Sequence, residues 1–178
     1  MASAKRPVAL TYGLIAGLVI VIITYILYMG GVNTYLGGLA FLNYVAMITL
    51  AVIAAWSQKK AQGGYLEFRE ALQTIFTVFA IALLMLTLFN WVLMNYLDIN
   101  FKNAVSQETI KRMEELLRRM KMDDDQIDKA VNNARHNDSF TLGKLFLGLM
   151  FWYIAAFLFA LLIAAIVKKK KPEFADAL

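Results

Sequence analysis

The residues of this sequence best suited to chemistry lie in one short stretch, GGYLEFREALQ, which covers residues 63–73. It carries two carboxylates, Glu67 and Glu70, with Arg69 between them. Folded inward, either glutamate would bind a cation or a partner. In the first turns of a helix, however, the helix dipole stabilises negative charge and no ligand is needed. The sequence favours this second interpretation.

The rest of the stretch is typical of a turn at the edge of a membrane. Gly63 and Gly64 can adopt positive φ, which turns the chain after the preceding lysines. Tyr65 and Phe68 suit the headgroup level, where aromatic side chains are enriched. No helix breaker follows Leu66, so a helix is expected to begin there. The stretch is therefore predicted to be a hinge and an anchor between two helices.

Other clusters of polar residues point less clearly to a site. Asp123, Asp124, Asp125 and Asp128 offer the oxygen ligands that calcium prefers, but they lack the alternate spacing and the glycine turn of a calcium loop. An acidic helix start explains them. His136 is the only histidine and builds neither a metal site nor a triad by itself. The chain has no cysteine, which excludes thiol chemistry and disulfides. No metal, cofactor or catalytic residue is predicted.

Four long apolar segments must position these residues. A helix needs roughly 20 mainly apolar residues to cross a hydrocarbon core about 30 Å thick. The chain is 60% hydrophobic, well above the 45–50% or so of soluble domains. The fold class predicted is all-α integral membrane, a single domain with four transmembrane helices. These spans are expected at about 8–29, 36–56, 71–96 and 140–167.

Residues 97–139, between the third and fourth spans, are predicted to form an amphipathic helical hairpin outside the membrane. Ser106 is the expected N-cap of its first helix, and the acidic run 123–125 is the expected start of its second. The two helices are expected to fold on each other or to lie on the bilayer, with docking on a partner as the functional alternative. The apolar stripe of the first helix consists of Ile110, Met113, Leu116, Leu117 and Met120.

The basic residues predict the orientation of these spans. An even number of spans places both termini on one side, and the positive-inside bias weighs residues close to helix ends. The pairs at 5–6 and 59–60 and the run at 168–171 all flank a span closely, so both termini are expected in the cytoplasm. The net charge of +5 then faces lipid headgroups, and no nucleic-acid partner is expected.

Within the spans the only charged residue is Lys144, which lies close enough to the start of the fourth span to reach toward water, and the other polar residues are uncharged. Asn43 and Asn90 are expected to form hydrogen bonds between helices, each on the order of 1 kcal/mol. A proton-coupled transporter usually keeps a charged residue at that depth, although a neutral-lined pore stays open as an alternative. Small residues at intervals of four predict close helix packing, within one bundle or between copies. They are Ala9, Gly13 and Gly17 in the first span and Ala156, Ala160 and Ala164 in the fourth.

Three segments together resemble a known family. GGYLEFREALQ after two apolar spans, the segment MEELLRRMKMDDDQIDKAV and the tail KKKKPEF are similar to the bacterial family catalogued as domain of unknown function 4199. The resemblance covers nearly the whole chain. It implies a four-helix inner-membrane protein of Bacteroidota-type bacteria, and it brings no established activity, cofactor or catalytic residue.

Three functions are weighed on this basis. The first is a non-catalytic membrane protein, an accessory subunit or assembly scaffold that binds a membrane-protein partner through its helices and outer hairpin. The second is a small oligomeric transporter or channel with a neutral polar lining. The third, a membrane enzyme, would need a nucleophile with a base or a metal constellation, and no such cluster is visible. The lipid bilayer is the one partner that every alternative shares.

Overall fold

Helices form almost all of the chain in the computed structural model, which describes residues 5–169, with side chains from Val8 onward. A 3₁₀ turn, Gly38–Ala40, leads into α3, and a π-helical turn, Leu93–Leu97, follows α4. The α-helices are α1 Lys5–Met29, α2 Val32–Tyr35, α3 Phe41–Ala61, α4 Phe68–Val92, α5 Ile99–Arg119, α6 Asp124–His136 and α7 Leu142–Val167.

Four of these helical segments are long and apolar enough to cross a membrane, in agreement with the predicted fold class. The first span agrees with its prediction, whereas the ends of the other three differ, because polar residues extend a helix wherever no glycine or proline stops it. The segment 36–40 turns before α3 begins, since glycines interrupt it. The four candidate spans are Val8–Met29, Gly38–Ala61, Phe68–Leu97 and Leu142–Val167.

Helix α4 lies at the centre of the bundle and packs against α1, α3 and α7. Small residues on α1 allow its close approach. A Cβ atom added to Gly13 would lie 2.8 Å from Cδ1 of Ile81, and one added to Gly17 would lie 2.2 Å from Sδ of Met85. Both distances are below normal van der Waals contact, so a side chain at either position would force Ile81 or Met85 to move.

Helix α7 packs against α4 through its own row of small residues. Ala156, Ala160 and Ala164 are buried, and the Tyr153 hydroxyl donates a hydrogen bond to the Ala80 carbonyl at 3.0 Å. Within residues 5–169, α7 makes no contact with α1 and only slight contact with α3. The bundle is therefore tight around α4 and open between α3 and α7.

Helix α5 begins earlier than the sequence predicted, and it is fastened to the bundle. Ser106 is not its N-cap. Asp98 caps the helix instead, since its side chain accepts a hydrogen bond from the Phe101 backbone N–H at 2.8 Å. The Tyr28 hydroxyl donates to the same carboxylate at 3.0 Å, which ties α5 to the end of α1. Residues 99–105, which the prediction left outside the helix, thus form the anchored first third of α5.

Two further contacts hold this end of the molecule together. Phe101 is buried and meets the rings of Tyr28 and Tyr35 edge-on, at centroid distances of 4.7 and 5.3 Å. Helix α6 packs back on α5, with Ile127 and Val131 buried. The segment α5–α6 is therefore fixed to the bundle.

Candidate functional site

The stretch GGYLEFREALQ closes one end of the bundle by pairing with the residues that follow α7. Gly63 and Gly64 have φ angles of 72° and 91°, a region that favours glycine. Leu66 is fully buried and exchanges two backbone hydrogen bonds with Lys169, with N···O distances of 2.9 and 2.8 Å. This pairing delays the start of α4 from Leu66 to Phe68. The stretch is thus a turn that also pairs with the end of α7. We call residues 63–68, paired with Lys168 and Lys169, the clasp.

Basic side chains reinforce this clasp. Lys168 lies over the Phe68 ring and Lys169 over the Tyr65 ring, with Nζ atoms 5.7 and 5.5 Å from the centroids. Exposed cation–π contacts of this kind contribute about 0.5–1 kcal/mol each. Residues 170–178, which include most of the predicted KKKKPEF tail, lie outside the described residues, as do the side chains of Lys5 and Arg6.

The structure separates the two glutamates of this stretch. Glu67 is exposed and precedes α4, where its side chain makes no capping hydrogen bond. Arg69 is also exposed. Glu70 lies in the first turn of α4, half-buried, and lines a cavity between α1, α3 and α4. Of Glu67, Arg69 and Glu70, only Glu70 is therefore positioned to act inside the bundle.

The cavity beside Glu70 is about 510 Å³, and five of its seven lining residues have polar side chains. Its most unusual residue is Gln58, which is 2% exposed and whose Oε1 accepts no hydrogen bond from any described residue. A buried acceptor left unsatisfied costs roughly 1–3 kcal/mol, so this site favours a hydrogen-bond donor, either water or a ligand. The lining residues are Ala9, Leu10, Gln58, Glu70, Gln73, Thr74 and Thr77.

A second cavity, of about 210 Å³, lies at the opposite end of the same three helices and is lined by both predicted asparagines among mainly apolar residues. The Asn43 amide donates to Thr24 at 3.0 Å, and the Tyr35 hydroxyl donates to Asn90 at 2.8 Å. Burial raises the pKa of Tyr35 to about 12, so its hydroxyl keeps its proton at neutral pH. Asn43 and Asn90 thus share a cavity, and each bonds a different helix or turn.

An apolar layer separates the two cavities along these helices. Ala16 of α1, Ala51 and Ala54 of α3, and Val78 and Ala82 of α4 have no exposed surface. Each lies between the residues of its own helix that line one cavity and those that line the other. Over the described residues, the polar lining therefore does not run through the bundle.

Comparison with known proteins gives one match. A family model described as "Protein of unknown function (DUF4199)" matches residues 11–169. The chain belongs to the DUF4199 family. The match confirms the resemblance found from the sequence, and it spans all four apolar helices together with the clasp at Leu66 and Lys169. No curated protein and no solved structure matched the chain.

The acidic cluster of this DUF4199 protein serves helix ends. Asp124 lies in the first turn of α6 and pairs with Arg118 at 3.2 Å. His136 Nδ1 lies 2.9 Å from the Asn132 carbonyl oxygen, within the same helix. Across the described part of the chain, no three His, Cys, Asp or Glu side chains form a group that could hold a metal ion.

Two features of this DUF4199 fold escaped the sequence reasoning. Gln58 lies beside Lys59 and Lys60, so the sequence placed it in a polar loop, whereas α3 continues through it to Ala61. Lys102 bridges distant segments, since its Nζ donates to Asn95 at 3.0 Å and to Asp138 at 2.5 Å. The available signal was the absence of glycine and proline around Gln58. Nothing in the sequence paired Lys102 with a residue 36 positions away.

Proposed function

We propose that this DUF4199 protein is a non-catalytic, multi-pass protein of the bacterial inner membrane that acts as an accessory subunit or interaction scaffold. Four apolar helices support the membrane placement. Lysines gather at the clasp end of the bundle, where the positive-inside bias favours the cytoplasm. Both termini then lie in the cytoplasm, and α5–α6 forms an extramembrane hairpin on the other side.

The observation that carries this proposal is an apolar face on a rigidly held hairpin. Leu116 of α5 and Met120, which directly follows α5, are 57% and 64% exposed, although the helix beside them is charged. Ile127 and Val131 of α6 cover another part of α5 and leave these two side chains uncovered. Apolar side chains grouped on a water-facing helix are typical of a protein-interaction site.

Contacts with the rest of the chain fix the position of the hairpin, as docking of a partner requires. The Arg112 guanidinium donates to the Leu36 carbonyl at 2.7 Å, and Phe101 is buried at the base of α5. A helix of 21 residues spans about 30 Å, and the Arg112 contact lies beyond its middle, so more than half of α5 is held. Because the hairpin is already held in place, binding of a partner there costs little conformational entropy of the hairpin, and this favours binding.

Site-specific photo-crosslinking in native membranes tests this proposal. A photoreactive residue at Leu116 should give one reproducible protein partner, and Met120→Glu in the same chain should abolish that product. The matched control is a photoreactive residue at Lys129, which is exposed on α6. The same products from Lys129, or persistence after Met120→Glu, would contradict docking through this face. Links only between identical chains would identify the partner as a second copy.

Transport of a small polar solute is the second candidate, and the two cavities between α1, α3 and α4 favour it. The apolar layer between them would have to open during transport, as a gate does. Purified protein in liposomes should be tested for uptake of small ammonium and neutral solutes. Uptake that Gln58→Ala and Glu70→Gln each abolish, while Glu67→Gln does not, would replace the scaffold proposal. The scaffold proposal expects no uptake above that of empty liposomes.

A further inference from the structure

The open side of the bundle contains an apolar crevice. It lies between α3 and α7, with α4 as its floor, and has a volume of about 490 Å³. Met47 and Phe79 lie on the α3 and α4 walls, and Ala156 and Phe159 lie on α7. None of the described residues that line it is charged. The crevice exists because α3 and α7 both pack on α4 but scarcely touch each other.

A cavity of about 210 Å³, mainly apolar but with a few polar side chains, adjoins the crevice toward the hairpin end of the helices. The two share Tyr44, Leu83 and Trp152, and the adjoining cavity adds the polar residues Thr87, Asn90 and Lys144. The combined site is apolar at its deep end and carries a cation at its shallow end. This is the polarity of a lipid molecule.

The residues at the shallow end can donate hydrogen bonds to an anion. Lys144 forms no ion pair with any described residue, and its Nζ donates to the Asn137 side chain at 3.2 Å. The nearby carboxylate of Asp138 is engaged by Lys102. Asn90 already accepts a hydrogen bond from Tyr35, and within residues 5–169 its own N–H groups bond no other residue. A phosphate oxygen would satisfy these donors.

We propose that this crevice binds one anionic phospholipid, with an acyl chain between α3 and α7 and the phosphate beside Lys144. The inference rests on the membrane placement of the proposed function, because a crevice open to the bilayer and without polar lining excludes water and is filled by hydrocarbon. A helix of a second copy fits less well, since a single turn about 10–12 Å wide would fill most of the volume.

Trp152 offers a direct test because it lines both parts of the site. The chain has three tryptophans, so Trp56→Phe with Trp91→Phe leaves Trp152 as the only one. This full-length variant is placed in phosphatidylcholine vesicles with increasing fractions of phosphatidylglycerol whose acyl chains are brominated, since bromine quenches tryptophan at short range. Quenching should saturate at a several-fold lower fraction of brominated phosphatidylglycerol than of brominated phosphatidylcholine.

Two variants assign the parts of the site. Lys144→Gln should remove the preference for phosphatidylglycerol and leave quenching by phosphatidylcholine, whereas Lys60→Gln at the other end of α3 should change neither. Ala155→Phe, which fills the crevice, should weaken quenching by both lipids. If quenching by the two lipids follows bulk composition equally, the anionic site does not exist.

A second single-tryptophan chain separates this inference from the proposed function. Trp56, 58% exposed in α3, is retained alone by changing Trp91 and Trp152 to Phe. Quenching of Trp56 without quenching of Trp152 would leave the membrane placement intact and overturn the lipid site in favour of a protein that covers the crevice. If neither is quenched, the membrane placement fails, and the lipid site fails with it.

Discussion

Gly17 has no room for a side chain because Met85 of α4 lies against it. Gly17→Ala should therefore lower the melting temperature in detergent, with a loss of about 1–3 kcal/mol as expected for overpacking. Gly143 provides the control, since nothing lies within 4 Å of a Cβ atom added there. Gly143→Ala should be neutral or slightly stabilising, because alanine favours a helix over glycine by about 1 kcal/mol. Equal effects of the two substitutions would contradict close packing at Gly17.

At the residue scale, the sequence predicts which small residues form a packing face, and the structure shows which side chains contact that face. The interval of four between Gly13 and Gly17 indicates a packing face, since both lie on one side of a helix. It does not indicate which helix meets that face, because several spans offer apolar side chains. The partners Ile81 and Met85 follow only from the central position of α4.

The clasp is an element-scale feature, and Leu66 tests it. Leu66 is fully buried, so Leu66→Ala should destabilise the protein by about 2–5 kcal/mol, as for other large-to-small changes in a core. Hydrogen exchange at the Lys169 amide, which donates to the Leu66 carbonyl, should also become faster. Leu88→Ala, on the same helix but away from the clasp, is the control, since Leu88 is 42% exposed. Unchanged exchange at Lys169 would show that the pairing does not secure α7.

The junction between α4, α5 and α7 depends on the charge of Asp138. Partial burial alone raises the pKa of Asp138, but hydrogen bonds from Lys102 and the Phe140 backbone N–H, with the charges of Lys102 and Lys144, hold that pKa below its ordinary 3.8. A lowered pKa in the folded state stabilises the fold above the unfolded pKa, and this contribution is lost as pH falls through the folded value.

Melting temperatures between pH 6 and pH 3 measure this dependence. The native chain should be more stable than Asp138→Asn at pH 6, and the difference should shrink as pH falls below about 4, the ordinary pKa of aspartate. Asp128→Asn is the control, because Asp128 is exposed on α6. A difference between native chain and Asp138→Asn that stays constant down to pH 3 would show that the carboxylate charge is not involved.

The same elements show where sequence reasoning ends. Hydrophobic length predicts the four apolar helices because each must bury its backbone hydrogen bonds within itself. Pairings between distant segments, such as Leu66 with Lys169, have no periodic signature, since they depend on where helix ends meet in space. Some residues of the candidate site could likewise be predicted from the sequence, and others could not. Asn43, Asn90 and Glu70 stood out as polar residues near apolar spans, whereas Gln58 required the true end of α3.

For the whole molecule, the proposed orientation makes a prediction that single cysteines can test, because the chain has none of its own. Glu67→Cys lies on the exposed clasp and Asn132→Cys on the exposed face of α6, so both thiols are accessible to a reagent. In spheroplasts, a membrane-impermeant maleimide should label Asn132→Cys at once and Glu67→Cys only after the membrane is permeabilised. The lysines at the clasp favour this orientation, since they hold positive charge close to the ends of three apolar helices. The reverse labelling pattern would invert the topology and place the hairpin, with Leu116 and Met120, in the cytoplasm. Its partner would then have to be sought there.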